Sequence, residues 1–310
     1  MKIDDTNINY FLDKYTDFVD KISEKYNYPD NIRHVLCLII PAFVVKYGLN
    51  KENLVINCFK DIVIYIHENV PGNCTAYFSR IMNKDLEGKY YTSKKIVLNN
   101  YSGYNLIDLL DNIIHEYNHA INSINNEILF DDKEVKMRTG LSYVTYDKDD
   151  IKHVKKRSED IILEEIINTK QTEDIIKIIK SFSKYKIENE EFNTALYQID
   201  RLIKDDYVSD AYYLQSYICK ELMKNKTFIP TVENLRLAGN TDDIEKWFDD
   251  ITGIKKSYQE LVTLLNKVMI DETKLSKTKF FRNYHINKIK EKMRKIMEIV
   301  RVYEDNCVYK

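Results

Sequence analysis

Glycine and proline are scarce in this chain, with 7 glycines and 4 prolines among 310 residues. An average globular protein devotes about 12% of its residues to these two types. Sandwiches, propellers and doubly wound sheets with glycine-rich phosphate loops need many corners with positive or fixed φ. The shortage therefore disfavours those folds and favours helices joined by polar turns.

Cysteines with the spacing of a metal or redox motif are also lacking. The five cysteines are scattered, and no two form a C-x-x-C pair; they are Cys37, Cys58, Cys74, Cys219 and Cys307. An odd and dispersed set is typical of reduced, mostly buried thiols. We therefore expect a cytoplasmic protein without a disulfide framework.

An excess of one charge and long apolar runs are missing as well. The chain has 47 Lys+Arg and 49 Asp+Glu, a formal net charge of −2, with the two signs mixed throughout. This balance predicts no nucleic-acid partner. The first residues carry acidic groups without the apolar core of a signal peptide, and no apolar run is long enough to span a bilayer. We expect a soluble protein with no membrane partner.

Apolar periodicity predicts helices through most of the chain. Spacings of three and four residues indicate helices at 8–26 and 31–47, whereas 52–69 fits a helix and a buried strand equally well. The second half is helical in period, with predicted helices at 159–180, 190–203, 210–223, 244–251, 256–270 and 287–303.

Short strands are predicted on both sides of one central helix. Residues 74–81 and 94–99 alternate as strands do, with a loop predicted at 84–91 and a turn at Pro71-Gly72-Asn73. A helix is expected at 105–124, because Asn105 can cap its free amides and Asp108 can return the bond.

A β-hairpin is predicted after this helix. Asn125-Asn126 ends the helix, and residues 127–146 resemble a hairpin that turns at Asp131-Asp132. Gly140 within it indicates either a β-bulge or a place where a substrate backbone approaches an edge strand. The basic run at 152–157 is predicted to be a solvated loop.

The order of these elements predicts an α+β fold that is predominantly α. We expect an amino-terminal α+β domain at 1–185 and an all-helical domain at 186–310. The boundary is placed in the Lys-, Ser- and Glu-rich segment at 183–189.

The central helix contains the motif H-E-x-x-H, as His115-Glu116-Tyr117-Asn118-His119. Two imidazoles four residues apart lie on one face of a helix, where both can bind one zinc ion. Glu116 lies beside them, close enough to hydrogen-bond a zinc-bound water without being a ligand. The motif therefore predicts a zinc site with His115 and His119 as ligands.

A third protein ligand is required by such a site. The metzincin extension is absent, because Asn122 and Asn125 occupy its Gly and final His positions. Two carboxylates, Glu164 and Glu165, lie in the otherwise apolar stretch of the next helix, where an unpaired charge is costly. A cation would account for one of them.

The sequence here resembles the gluzincin metallopeptidases, in which a glutamate on the helix after H-E-x-x-H completes the zinc site. The resemblance covers about residues 94–180. In many gluzincins this helix reads like L-N-E-G-x-T-E, and its alignment with Leu163-Glu164-Glu165 selects Glu165 as the ligand. The fold implied is zincin-like, with a small mixed sheet beside the active-site helix and a helical half that closes the cleft.

Two departures from the gluzincin pattern concern the third ligand. The segment between His119 and Glu165 is longer than in thermolysin-like gluzincins, and Ile166 occupies the position of a usual small residue. Neither departure affects the H-E-x-x-H motif itself.

The activity implied is zinc-dependent hydrolysis of a peptide or protein substrate. Glu116 would act as the general base that takes a proton from the attacking water and passes it to the leaving amine. The resemblance also implies an oxyanion stabiliser from the helical half, for which the candidates are Tyr212, Tyr213 and His285.

Residues near the predicted ligands have open alternatives. Asn168 or Thr169 would either orient a ligand or face solvent from the helix. We expect the remaining histidines, His34, His67 and His153, to have no role in the site.

Two other functions fit the same features. One is a regulatory intracellular protease of a mobile element, which agrees with the missing signal peptide. The other is a degenerate zincin that binds partners without catalysis, although the intact His115, Glu116 and His119 count against it.

Overall fold

The computed structural model describes residues 4–67, 75–99, 105–124, 128–202, 212–277 and 282–307. These residues fold as a mixed α+β protein that is mainly helical, with two small sheets, which confirms the predicted broad class. The helices are α1 Ile8–Tyr26, α2 Asp30–Tyr47, α3 Glu52–Asp61, α4 Leu106–Ile121, α5 Ile161–Ser181, α6 Glu190–Leu202, α7 Tyr213–Ile218, α8 Lys220–Lys224, α9 Phe228–Leu237, α10 Asp243–Thr252, α11 Ser257–Lys277 and α12 Arg282–Cys307. The strands are β1 Val63–His67, β2 Ala76–Lys84, β3 Tyr90–Asn99, β4 Ile128–Phe130, β5 Glu134–Thr139, β6 Ser142–Asp147 and β7 Asp150–Arg157.

Residue contacts divide the chain into two units, each made of two chain segments. Unit 1 comprises Met1–Ile121 and Gln171–Ser209, and unit 2 comprises Asn122–Lys170 and Asp210–Lys310. The sequence-based domains, 1–185 and 186–310, are instead two continuous segments. They stay a prediction, because grouping by contacts does not establish which segments fold independently.

A three-stranded mixed sheet lies in unit 1. Its strand order is β1-β3-β2, with β1 parallel and β2 antiparallel to the central β3. Residues 52–69 had fitted both structures, and both occur there: α3 ends at Asp61, and β1 follows it. The predicted turn at Pro71-Gly72-Asn73 lies outside the described residues.

The loop predicted at 84–91 is shorter in the structure, because β2 and β3 extend towards each other. Asp85 closes the turn: its carboxylate accepts the amide N–H groups of Glu87 at 3.0 Å and Lys89 at 2.8 Å. Gly88 supplies the positive φ of +83° that the turn requires. The Asp85 side chain thus stabilises a shorter turn than the predicted loop.

A four-stranded antiparallel sheet, ordered β4-β5-β6-β7, lies in unit 2. The predicted hairpin turn at Asp131-Asp132 is confirmed between β4 and β5. The basic run at 152–157 was predicted wrongly as a loop, since it forms most of β7. Nearly all side chains of this edge strand are exposed, so the strand lacks the apolar alternation by which strands are recognised.

The second half confirms the predicted helices with four differences, one of which is that α11 ends at Lys277, beyond the predicted residue 270. The region predicted as one helix at 210–223 contains α7 and α8, which meet at Cys219. Helix α9 was not predicted, and α12 is longer than expected at both ends. Helix α4 ends at Ile121, earlier than the predicted residue 124, and Asn125-Asn126 lie outside the described residues.

Most of the cysteine thiols that the structure describes are buried. Cys37, Cys58 and Cys219 are buried thiols outside any disulfide, as predicted, whereas Cys307 is a half-buried thiol. Burial raises the pKa of Cys37 to about 11 and that of Cys219 to about 12. These two thiols therefore stay protonated and poorly nucleophilic near neutral pH.

Among the described residues, no single helix has both the length and the apolar character of a membrane span. Helices 30–47 and 49–61 meet this test only when taken together, and they are bent by 110° at their junction.

A partly buried ion pair joins the two longest helices of unit 2. Lys292 of α12 donates from Nζ to the Asp271 carboxylate of α11 at 2.6 Å. Burial alone raises the pKa of Asp271, but the Lys292 hydrogen bond and charge, together with Lys288 and Lys274, lower it below its ordinary value.

We expect Asp271→Asn to destabilise the protein at pH 7 by about 1.5–3 kcal/mol, the range for hydrogen bonds to charged groups. A carboxyl group whose folded pKa is depressed stabilises the fold above its unfolded pKa, and this contribution is lost as the pH falls through the folded value. Urea unfolding at pH 7 and below pH 4 should therefore give a difference that shrinks in acid. Asp305→Asn, which removes an exposed pair with Arg301, is the control; an Asp271→Asn effect independent of pH would contradict the assignment.

Candidate metal centre

Helix α4, which carries the H-E-x-x-H motif, begins as its sequence predicts. The side-chain oxygen of Asn105 accepts the backbone N–H groups of Ile107 and Asp108, both at 2.9 Å. This cap satisfies two of the four free amides at the helix start. The predicted Asn105 cap is therefore confirmed, whereas the return bond from the Asp108 side chain stays a prediction.

Packing on the far side of α4 fixes which face the histidines occupy. Tyr117 is fully buried, with its ring centroid 3.9 Å from that of Phe59 and 6.5 Å from that of Phe43. Burial raises the pKa of Tyr117 well above its ordinary value, so the phenol stays neutral. At 100° per residue, Tyr117 points nearly opposite to His115 and His119.

The two imidazoles lie next to each other on one face of α4. Their ring centroids are 5.0 Å apart, and the ring planes meet at 74°. His119 is buried and His115 is half-buried. The pair is therefore close enough to share one ion while remaining accessible on the His115 side.

Glu165 of α5 joins this pair. One side-chain donor atom from each of His115, His119 and Glu165 lies within 4.8 Å of the other two. Two imidazoles and one carboxylate are a donor set that zinc uses in catalytic sites, with a fourth position left for water or substrate. The residues present therefore fit the metal that the motif implies.

Glu116 occupies a buried position between the two histidines in sequence. The residue is only 7% exposed. It lies about 100° around α4 from His115, so it borders the histidine face without belonging to it. This is the placement expected of a carboxylate that acts on a molecule held at the metal.

Glu164, the alternative third ligand, is engaged elsewhere. Its side chain is completely buried and forms an ion pair with Arg236 of α9, which is completely buried too. One carboxylate oxygen of Glu164 also accepts the backbone N–H of Leu141 at 2.7 Å. Since consecutive helical residues point about 100° apart, the side chains of Glu164 and Glu165 contact different groups.

Gly140 lies in the turn that joins β5 to β6, where its φ is +58°. The pairing of β5 with β6 keeps an unbroken register, so the predicted β-bulge is wrong. A Cβ atom at this position would overlap the carboxyl group of Glu164. Glycine is therefore required here by a close internal contact in addition to its backbone conformation.

Two buried amide pairs connect α4 and the chain beyond it with α5. Asn118 donates to the Thr172 hydroxyl at 3.2 Å, and Asn122 donates to the Asn168 side-chain oxygen at 3.1 Å. Thr169 donates to the backbone carbonyl of Glu165 at 2.8 Å. Asn168 and Thr169 are both buried, so the solvent-facing alternative is wrong for both.

The three candidates for an oxyanion stabiliser occupy different positions in unit 2. Tyr212 precedes α7 with a φ of +53° and packs against the apolar core, and Tyr213 is the first residue of α7. His285 of α12 has its Nδ1 3.7 Å from the Asp271 carboxylate. Their catalytic role stays a prediction.

The other histidines lie outside the three-residue cluster. His34 belongs to α2, and His67 is exposed at the end of β1. His153 of β7 bonds through Nδ1 to the Asp150 carboxylate at 2.8 Å. Among the described residues, the cluster contains none of these three.

Arg236 is the residue of this region that the sequence analysis missed. It belongs to α9, the helix that was not predicted, and it is completely buried. Arg236 could have been noticed as the only basic residue of the segment Phe228-Ile-Pro-Thr-Val-Glu-Asn-Leu-Arg-Leu237. A buried cation requires an anionic partner, and Glu164 lies in an apolar stretch where a carboxylate requires a cationic one.

Comparison of the chain with protein-family models, with curated proteins and with solved structures finds no match.

We expect His115→Ala, His119→Ala and Glu165→Gln each to reduce bound zinc from about one per chain to near zero, because each removes one of three ligands. Elemental analysis after gel filtration in zinc-free buffer measures this directly. His153→Ala, which removes an exposed imidazole, should keep the wild-type zinc content. Full zinc retention by any of the three ligand variants would exclude that residue as a ligand.

Proposed function

We propose that this protein is a zinc-dependent metallopeptidase of gluzincin type. The observation that carries the proposal is the convergence of donor atoms from His115, His119 and Glu165 within 4.8 Å. The same helix supplies Glu116, a buried carboxylate beside the two histidines. A bare metal-storage site would not require that fourth residue.

The proposed metal ligands are the imidazoles of His115 and His119 and the carboxylate of Glu165. A zinc ion held by this donor set lowers the pKa of bound water towards neutrality and polarises a carbonyl oxygen. The packing of Tyr117 against Phe59 holds the histidine face in place, which reduces the reorganisation needed on binding.

Glu116 performs the proton transfers in this proposal. Its carboxylate takes one proton from water as the water oxygen attacks the peptide carbonyl carbon. The same carboxylate oxygen then gives the proton to the amide nitrogen as the C–N bond breaks, so that the products are a carboxylic acid and an amine. Glu116 is buried beside the two histidines, so its carboxylate is shielded from bulk water where the proton transfers would take place.

The proposed substrate is a peptide or protein. The small mixed sheet β1-β3-β2 and helix α4 belong to the same unit, which agrees with a zincin-like arrangement of a sheet beside the active-site helix. Helices α7 to α12, which belong to unit 2, would then form the helical half of such an enzyme.

We expect Glu116→Gln to keep about one zinc per chain and to lower peptide hydrolysis by at least about 100-fold, because the amide cannot accept the proton. Cleavage of a mixed peptide library, followed by mass spectrometry, measures the activity. Glu188→Gln, which changes an exposed glutamate, is the matched control and should act like wild type.

The same experiment tests the non-catalytic alternative. If wild type and Glu116→Gln bind zinc equally and neither cleaves any peptide, the protein is a binding protein built on a metallopeptidase site. If Glu116→Gln cleaves as fast as wild type, Glu116 is not the general base.

A further inference from the structure

We propose that Glu164 and Arg236 are positioning residues that orient the neighbouring Glu165 for metal binding. This inference rests on the proposed metal site, and it assigns to the two adjacent glutamates of α5 separate roles. Glu165 supplies a donor atom, whereas Glu164 holds the part of α5 from which that donor projects.

The argument begins with the burial of the pair. The side chains of Glu164 and Arg236 are both 0% exposed. Breaking a buried pair by removing one partner leaves an uncompensated charge, which is strongly unfavourable. Glu164 therefore cannot move away from Arg236 without a large cost, and the first turns of α5 are held with it.

A second set of contacts ties Glu164 to the turn between β5 and β6. The backbone N–H of Leu141 donates to the Glu164 carboxylate at 2.7 Å. The preceding N–H, that of Gly140, donates to the Ser123 hydroxyl at 2.9 Å. Two consecutive amides of one turn thus bind the segment just beyond α4 and the start of α5.

Ser123 connects this turn to the metal-binding helix. It lies four residues after His119, and its neighbour Asn122 is bonded to Asn168, three residues after Glu165. The β5–β6 turn and the Asn122–Asn168 pair therefore brace the chain at the end of α4 against the segment of α5 that contains Glu165.

Gly140 makes this bracing possible. Its φ of +58° is one that glycine adopts without strain, and its missing side chain leaves room for the Glu164 carboxyl group. Any larger residue would push that carboxyl group aside. Because Glu164 and Glu165 share one helical backbone, the displacement is transmitted to the metal-binding carboxylate.

A purely structural ion pair would have the same contacts, so stability and metal binding must be separated. Replacing both members of a buried pair by apolar residues of similar size is often neutral for stability. The double substitution Glu164→Leu/Arg236→Met therefore removes the Glu164–Arg236 pair without leaving a buried charge. If the pair had only a structural role, a double variant as stable as wild type would also bind zinc as tightly as wild type.

The experiment measures the zinc Kd by competition with a chromophoric chelator and, separately, the Tm of the metal-free protein. We expect Glu164→Leu/Arg236→Met to stay folded and to bind zinc about 10- to 100-fold more weakly, the loss typical of residues that orient metal ligands. The double substitution Asp271→Asn/Lys292→Met removes a partly buried pair of unit 2 and should leave the zinc Kd within about twofold.

A glycine pair keeps the inference testable if the double variant does not fold. Gly140→Ala and Gly253→Ala both introduce a side chain at positive φ, +58° and +68°, but no atom lies within 4 Å of the Cβ position at Gly253. We expect Gly140→Ala to weaken zinc binding at least 10-fold more than Gly253→Ala, because only Gly140→Ala displaces Glu164. The visible spectrum of the Co²⁺-loaded protein should change in Gly140→Ala and remain unchanged in Gly253→Ala.

The outcomes separate this inference from the proposed function. If wild type binds zinc and the folded double variant binds it within twofold, Glu164 and Arg236 do not position the ligand, while the metal site stands. Equal zinc affinities in Gly140→Ala and Gly253→Ala would overturn the inference in the same way. If wild type binds no zinc, the proposed function fails and the inference fails with it.

Discussion

A carboxylate that is shielded from water needs a positive partner, and Glu164 meets this need inside the protein through Arg236. Its neighbour Glu165 is half-buried and lies beside two imidazoles instead. A helix turns by about 100° per residue, so adjacent side chains of the same type can be assigned to a structural contact and to a chemical one. The candidate site depends on this division, because it leaves Glu165 as the glutamate of the pair that lies beside the two histidines.

Amide side chains complete the arrangement of α4 and α5. The bonds Asn118–Thr172 and Asn122–Asn168 use residues that are four apart on both segments. A slide of either helix by one turn would break both bonds and leave buried polar groups without their partners. Apolar packing alone tolerates such slides more easily, since it is not directional. The polar pairs therefore supply the register that a two-helix metal site needs.

Local chemistry made much of this structure predictable. The apolar spacing of 8–26, the Asn105 cap and the H-E-x-x-H motif each depend on residues within one or two helical turns, and the structure agrees with the first two. The broad α+β class followed from the order of such elements.

Long-range partners could not be predicted in the same way. The choice between Glu164 and Glu165 depended on Arg236, which is 72 residues away in sequence and lies on a helix that the apolar pattern did not reveal. The close approach of the Glu164 carboxyl group to Gly140 also cannot be predicted from the spacing of residues in the sequence. Strand β7 was missed for a different reason, because its charged, exposed side chains hide the alternation that marks most strands.

That charged strand has a consequence for how the protein behaves beside its own copies. An edge strand offers unpaired backbone amides and carbonyls to any other strand that approaches. Along β7 the exposed side chains include several lysines, and Lys155 is already engaged by Glu134 and Asp147 within the sheet. The β7 strand of a second copy that tried to extend the sheet there would place lysines side by side. The β7 edge is thereby protected from edge-to-edge aggregation in a crowded solution.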